Sequence, residues 1–325
     1  MQLYFLRILT SCRLSINAYY SFMDFLMLSI FTNQASMAAT KSTFNSTSGL
    51  NQSMQRLGTG KRLNSASDDA AGLQIATRLT SQTNGMKVAQ KNISDGISLL
   101  QIAEGSLDEY SNTVYRMKDL ATQAANGTNS QKDLQAIQKE FFALQDSAVD
   151  MIRTTSFGGQ SLFYDAGGDD VPDEKKGLLT RKAGMTLQIG QSASETLNVN
   201  VNDGIWAIES ILSSASGAFG RDKNNVVHDI NGDNARDSIG MLEEVLDEVG
   251  KVRATLGAKQ NRLGHTASNL QNMQDNLSVG LGNIQDADHA TEASRMSRSQ
   301  MLAQTSMSML KQSNSMSSMV QSLLS

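Results

Sequence analysis

The chain has 325 residues, a formal net charge of −4 and 18% charged residues, against roughly 25% in an average soluble protein. A single cysteine (Cys12) excludes an intrachain disulfide and a cysteine-rich zinc site. Three scattered histidines (His228, His265, His289) give no metal cluster or histidine-based triad, and the acidic balance offers nucleic acid no electrostatic footprint. Beyond residue 40 no apolar run reaches the length of about 18 residues that a membrane helix needs.

Residues 1–26 differ from the rest of the chain. They hold six of the 17 aromatic residues (Tyr4, Phe5, Tyr19, Tyr20, Phe22, Phe25) and the cysteine. A cleaved signal peptide fits poorly, because Arg13 and Asp24 interrupt the apolar run and no small-x-small cleavage site comes after it. The expectation is an upstream extension absent from the mature protein, with Met27 as the true start. From there to Leu57 the chain is mostly Ser, Thr, Asn and Gln, with Met37, Phe44, Leu50, Met54 and Leu57 among them. This reads as a helix with little stability of its own.

The strongest periodicity runs from Met86 to Ala124. Apolar residues fall at Met86, Ala89, Ile93, Ile97, Leu100, Ala103, Leu107, Tyr110, Val114, Met117, Ala121 and Ala124. The mean step of about 3.5 keeps this seam on one partner with a left-handed supercoil. At about 1.5 Å per residue the seam is roughly 57 Å long, so it needs an equally long partner. Asn126-Gly127 breaks the helix, and Ser130 is the expected N-cap of the next, with Asp133 three residues on. That helix carries Leu134, Ile137, Phe141, Leu144, Ala148 and Met151 on one face.

The stretch 165–176 is rich in Gly and Asp and reads as a loop. Then the period changes to two: Met185, Leu187 and Ile189, then Leu197, Val199 and Val201, separated by Gly190 and polar residues. This predicts a β-hairpin. Ile205, Trp206, Ile208, Ile211 and Leu212 predict a short amphipathic helix. A third long seam runs from Ala235 through Ile239, Leu242, Val245, Val249, Val252 and Leu256, then from Leu263 to Ile284, interrupted only at Gln260. The last segment is different again: from Ser294 to Ser325, 11 of 32 residues are serine and methionine supplies much of the apolar matter. Leu302, Ser306, Met309, Ser313, Met316, Val320 and Leu323 keep a three-four spacing, again a marginal helix that needs packing partners. The fold class expected is mainly α: a long antiparallel coiled-coil helical bundle with its N- and C-terminal arms paired and a small β-hairpin region in the middle.

Two stretches carry a family resemblance. Arg56-Leu-Gly-Thr-Gly60-Lys-Arg-Leu-Asn64-Ser-Ala-Ser-Asp68-Asp-Ala-Ala-Gly72 resembles the N-terminal signature of bacterial flagellins. Leu256-Gly-Ala-Lys-Gln260-Asn-Arg262, then Ile284-Gln-Asp286-Ala-Asp288-His-Ala-Thr-Glu292 and the closing Leu323-Leu-Ser325, resemble the C-terminal one. Leu28-Ser-Ile30-Phe-Thr32-Asn33 is similar to the family's opening. The resemblance implies a filament subunit with an inner D0 layer and a surrounding D1 layer, without large outer domains. It would be an extracellular protein exported unfolded by the flagellar type III route. In those terms 27–70 is the N-terminal D0 helix and spoke, 71–176 the N-terminal D1 helices, 177–233 the hairpin and short helix, 234–281 the C-terminal D1 helix and 282–325 the C-terminal D0 helix.

The same resemblance implies sites and partners. Gly58, Gly60, Asp68 and Asp69 would form the D0–D1 turn. Arg116, Leu120 and Glu140 match the surface read by the Toll-like flagellin receptor, or an assembly surface. Leu323 and Leu324 match the element engaged by cytosolic sensors and by the export chaperone. The implied partners are copies of the chain itself, the chaperone, the hook-associated and cap proteins and that receptor, with no nucleic acid, membrane or cofactor.

Rival chemistries fail on spacing. Gly58-Thr-Gly60-Lys61 lacks the four residues between glycines and the Ser/Thr after Lys that a phosphate loop needs. Asp229, Asn231 and Asp233 have calcium-loop spacing, but Asn234 replaces the glycine and Gly240 the bidentate glutamate. No catalytic constellation supports an enzyme. The remaining alternatives are a hook-filament junction protein, against which Asp68-Asp-Ala-Ala-Gly72 speaks, and a chemoreceptor-like signalling coiled coil, which needs a membrane span.

Overall fold

The computed structural model describes residues 33–163, 177–221, 228–230 and 232–324, with backbone alone at 317 and 320–324. The extension 1–26, the start at Met27 and the loop 165–176 lie outside the described residues. In chain order the elements are α1 (Gln34–Thr59), α2 (Ala70–Ala124), α3 (Gln131–Thr154), β1 (Ser156–Phe157), β2 (Gln160–Ser161), β3 (Met185–Gln188), β4 (Thr196–Val199), α4 (Asn202–Ala218), α5 (Gly232–Gln285) and α6 (His289–Leu324). Among the described residues no helix is long and apolar enough to cross a membrane. The chain divides into two compact units, one running up to Thr77 and resuming at Gly280, the other Arg78–Val279.

The second unit holds the large core. Of the seam expected on α2, every residue is buried except Ile97, which is half-buried. Its partner is α5, and the two run antiparallel. Gln90 donates to Gln271 at 2.8 Å, Gln260 to Glu104 at 3.0 Å, Arg253 pairs with Asp108 at 3.0 Å and Lys118 with Glu243 at 2.7 Å. Gln260, the break in the apolar seam of α5, therefore satisfies its amide across the interface, as a partly buried polar group must.

α3 starts as its sequence dictates. The Ser130 hydroxyl accepts from the Asp133 backbone N–H, and the Asp133 carboxylate accepts from the Ser130 N–H, a complete capping box. Phe141 stacks on Phe219 with centroids 3.9 Å apart, and Phe142 meets both rings edge-on. Gln138 is buried and donates to the carbonyls of Phe219 and His228 at 2.7 and 2.9 Å, which fixes the chain as it leaves α4.

The hairpin forms with Met185 opposite Val199 and Leu187 opposite Leu197, so its apolar residues share one face. Leu187 reaches α2 because residue 96 is glycine. A Cβ there would stand 2.8 Å from a Leu187 methyl. A second, smaller hairpin, β1 with β2 around Gly158-Gly159, lies just after α3.

Candidate functional site

The first unit is built differently. α1 is capped by Asn33, whose Oδ1 accepts from the Ser36 N–H at 3.1 Å. α1 and α6 run antiparallel, and their contacts are polar or small. Asn33 donates to the Ser313 hydroxyl at 2.9 Å, Ser36 to Asn314 at 3.1 Å, and the hydroxyls of Ser42 and Ser306 meet at 2.9 Å. Among the described residues, the buried ones of this pair are Ser53, Glu292, Ala303 and Ser306.

Most of the large apolar residues face the other way, while Leu50, Leu57, Met296 and Leu310 are half-buried. Phe44 is 73% exposed, and Met37, Met54, Met301, Leu302, Met307, Met309, Met316 and Met319 are also exposed. Of the three-four stripe read on the last segment, Leu302, Met309 and Met316 are exposed, while Ser306 and Ser313 bond to α1. The seam toward α1 runs through Ser299, Ala303, Ser306 and Ser313, with Met296 and Leu310 half-buried at the same spacing, and its small side chains let the two backbones approach. Gly49 shows the closeness: a Cβ there would lie 3.3 Å from the Ser299 hydroxyl.

One charged group sits in this seam. Glu292 is 4% exposed. It accepts from the Ser53 hydroxyl at 3.0 Å, from Arg56 at 3.1 Å and from Arg295 at 3.0 Å. Burial pushes its carboxyl up, but the hydrogen bonds from Arg56 and Ser53 and the two guanidinium charges outweigh this and hold it below the ordinary range. Arg56 also lies 3.8 Å from Asp68. Sequence reading did not find this network, although Arg56 opens one family signature and Glu292 closes a segment of the other. A carboxylate in three-four register with Ser299, Ala303 and Ser306 was the available signal.

The turn residues are brought together only in part. Gly58 lies inside α1. The chain turns at Gly60, which takes a left-handed backbone with φ 69° as the C-cap of α1, a conformation glycine adopts without penalty. The next residues pair with the link between α5 and α6: Arg62 N–H donates to Gln285 at 2.6 Å, and Ala287 N–H to Gly60 at 3.0 Å. Asp68 accepts from the backbone N–H groups of Asn64 and Ser65 and from the Gln52 amide. These bonds hold its carboxyl below the usual value. Asp69 does separate work, accepting from the Gly72 N–H at 2.9 Å to cap α2. Asp288 caps α6 in the same way through Thr291 and Ala290.

In the second unit Arg116 pairs with Glu140 at 2.7 Å, both half exposed, while Leu120 is 2% exposed and belongs to the core. The side chains of Leu323 and Leu324 lie outside the described residues. Among the described residues no three metal-ligating side chains gather.

Comparison with known proteins adds three findings. Residues 30–167 match the model of the bacterial flagellin N-terminal helical region, and residues 239–324 that of the C-terminal helical region. The chain is 32% identical to flagellin B of Vibrio anguillarum over 373 aligned positions, covering 91% of this chain and 99% of that protein. It is also 32% identical to flagellin A of Vibrio cholerae over 379 positions, with the same coverage. Both alignments are longer than this chain, so the relatives carry segments that it lacks. A structure solved as a flagellar hook-associated protein of Vibrio parahaemolyticus superposes with a TM-score of 0.50 at 15% identity, over 67% of this chain and 100% of that one, a likeness of fold alone.

Proposed function

This chain belongs to the bacterial flagellin family, and on that basis we propose how its two tips build a polymer. The protein is a structural subunit of the flagellar filament, an extracellular appendage. It polymerises with itself and is not an enzyme.

The observation that carries the reading is the helix pair of the first unit, which buries Ser53, Glu292, Ala303 and Ser306 while Phe44, Leu302 and seven methionines stay exposed. Copies of the same pair cover that outer face. Each large apolar side chain so covered contributes about 1.5–3 kcal/mol, which offsets an ordering cost of about 1–2 kcal/mol per residue. A head-to-tail contact that does not close into a ring then extends as a helix. In this reading 27–70 and 282–325 form the inner layer, and 71–281 forms the layer around it.

Finer partners come from the resemblance. The subunit leaves the cell through the flagellar type III channel, and the absence of cysteine after residue 26 leaves no disulfide to form on the way. The export chaperone engages the end containing Leu323 and Leu324. Hook-associated and cap proteins are its further partners in the flagellum. Arg116 and Glu140 present a surface to the Toll-like receptor. The junction-protein alternative has no observation of its own to favour it.

Removing 306–325 tests the assembly reading. The truncated monomer remains helical by circular dichroism and adds to no filament. Filaments of the truncated chain seen by electron microscopy would overturn it.

A further inference from the structure

Methionine is distributed unevenly over the molecule. Among the described residues of the first unit ten large apolar side chains are exposed, and seven of them are methionine: Met37 and Met54 on α1, and Met301, Met307, Met309, Met316 and Met319 on α6, each between 48% and 66% accessible. In the second unit only Met273 is exposed, at 38%. Met86 and Met117 are buried, and Met151, Met185 and Met241 are half-buried. An unbranched thioether packs adaptably against a changing neighbour, which suits a surface that must meet copies of itself. It is also the apolar side chain most readily oxidised when solvent reaches it.

We propose that these seven methionines are oxidation sites at which a peroxide-class oxidant blocks entry of the free subunit into the filament. The proposal rests on the assembly reading above. In each event the peroxide O–O bond breaks and one oxygen bonds to the methionine sulfur, which is oxidised by two electrons. The other oxygen leaves as water, reduced by the same two. The product is a polar sulfoxide. Burying it against apolar neighbours leaves its oxygen without a hydrogen-bond donor, so the covered state is disfavoured while the exposed state is not. The core of the second unit is spared, because Met86 and Met117 are buried within it. In the polymer the same seven sulfurs are covered, so an assembled filament resists the oxidant that disables its own subunits. Sulfoxide reductases of both stereochemical classes return the thioether, which makes the block reversible.

The test uses the full chain as monomer and as filament, with hydrogen peroxide as the oxidant and peptide mass spectrometry to locate added oxygen. In the monomer the seven sites gain oxygen well before Met86 and Met117, and in intact filaments they are protected. The critical concentration for adding oxidised monomer to untreated filament seeds rises on the order of tenfold for each sulfoxide the interface buries. Treatment with the two reductases restores it. A variant with all seven replaced by leucine adds to seeds whether or not it has met peroxide. If that variant does not assemble, reductase rescue of the natural chain decides alone. Oxidised monomer that adds as untreated monomer does, equal oxidation of the seven sites in monomer and filament, a peroxide block that persists in the leucine variant, or a block the reductases do not relieve overturns the proposal. Untreated monomer that adds to no seed overturns the assembly reading and this proposal together.

Discussion

Ser53 donates its hydroxyl to Glu292 at 3.0 Å across 239 residues of sequence. The bond joins the last turns of α1 to the first turn of α6, next to the place where Gly60 and Ala287 meet. Arg56 binds the same carboxylate and reaches toward Asp68. One buried acid thus ties together both terminal helices and the turn after the first. Removing it leaves a guanidinium facing the seam, and its Nε already has no partner. Glu292→Ala is therefore expected to cost about 2–3 kcal/mol. The loss appears as faster amide exchange over 34–59 with protection in 86–124 unchanged. Glu292→Gln costs less, because the amide oxygen still accepts from Ser53. Equal exchange in α1 of Glu292→Ala and the natural chain would show that the network does not hold the helix.

Acid should act on this unit first. The carboxyls of Asp68, Asp288 and Glu292 are all held below their ordinary values, the first two chiefly by hydrogen bonds to the charged form and Glu292 against the opposing effect of burial. A folded value below the unfolded one means that the folded state binds protons more weakly. The stabilisation is fully present above the unfolded values, near 3.8 for Asp and 4.5 for Glu, and is lost as pH falls through the lower folded ones. Among the described residues of the second unit only Asp133 is lowered in this way. Exchange measured stepwise below about pH 4.5 should open α1 before α2. Glu292→Gln should flatten the response of α1. Opening of both helices at the same pH would contradict this.

The long seams could be read from sequence because one physical pressure wrote them. A residue at every third or fourth position must be apolar to bury in a two-helix interface, and from Met86 to Ala124 nothing competes with that rule. The capping box at Ser130 and the alternation at Met185 and Leu197 were legible for the same reason: each is local and complete within a few residues. The small hairpin around Gly158-Gly159 escaped notice although Gly-Gly is a turn signal, since its strands are too short to show a period. The first unit was legible only in part. Periodicity marks the apolar positions of a helix without saying what covers them, and on α6 the face toward α1 includes Ser299, Ala303, Ser306 and Ser313 while Met301, Leu302 and Met309 stay exposed. The pairing of Arg56 with Glu292 was illegible because it depends on the register of two helices more than 230 residues apart.

In the second unit the packing of α3 against the end of α4 depends on one aromatic pair. Phe219 is fully buried, stacks on Phe141 and offers its carbonyl to the buried Gln138. Phe219→Ala removes the ring and opens a cavity that rigid helices cannot close. The expected loss is about 3–5 kcal/mol, read as a lower midpoint in denaturant unfolding followed at α3. Phe219→Leu keeps most of the volume and should lose less. A midpoint unchanged in the alanine variant would show that the site collapses freely.

The proposed receptor surface can be separated from the fold by the exposure of its parts. Arg116 and Glu140 form a half-exposed ion pair, and such pairs contribute about 0–1 kcal/mol to stability. Arg116→Ala should therefore leave the unfolding midpoint nearly unmoved. Leu120 lies in the core, so Leu120→Ala should cost about 2–5 kcal/mol as a cavity mutant whatever the receptor reads. The informative variants are thus Arg116→Ala and Glu140→Ala. Each is expected to weaken binding to the soluble Toll-like receptor ectodomain by at least about tenfold if the receptor pairs its own groups with these side chains, since truncating a charge buried against a binding partner costs on the order of 2 kcal/mol or more. Binding measured by surface plasmon resonance, beside filament assembly of the same variants, separates the two uses of this face. Lost receptor binding with normal filaments assigns the pair to recognition. Lost assembly with unchanged receptor binding assigns it to contact between subunits and sinks the receptor reading.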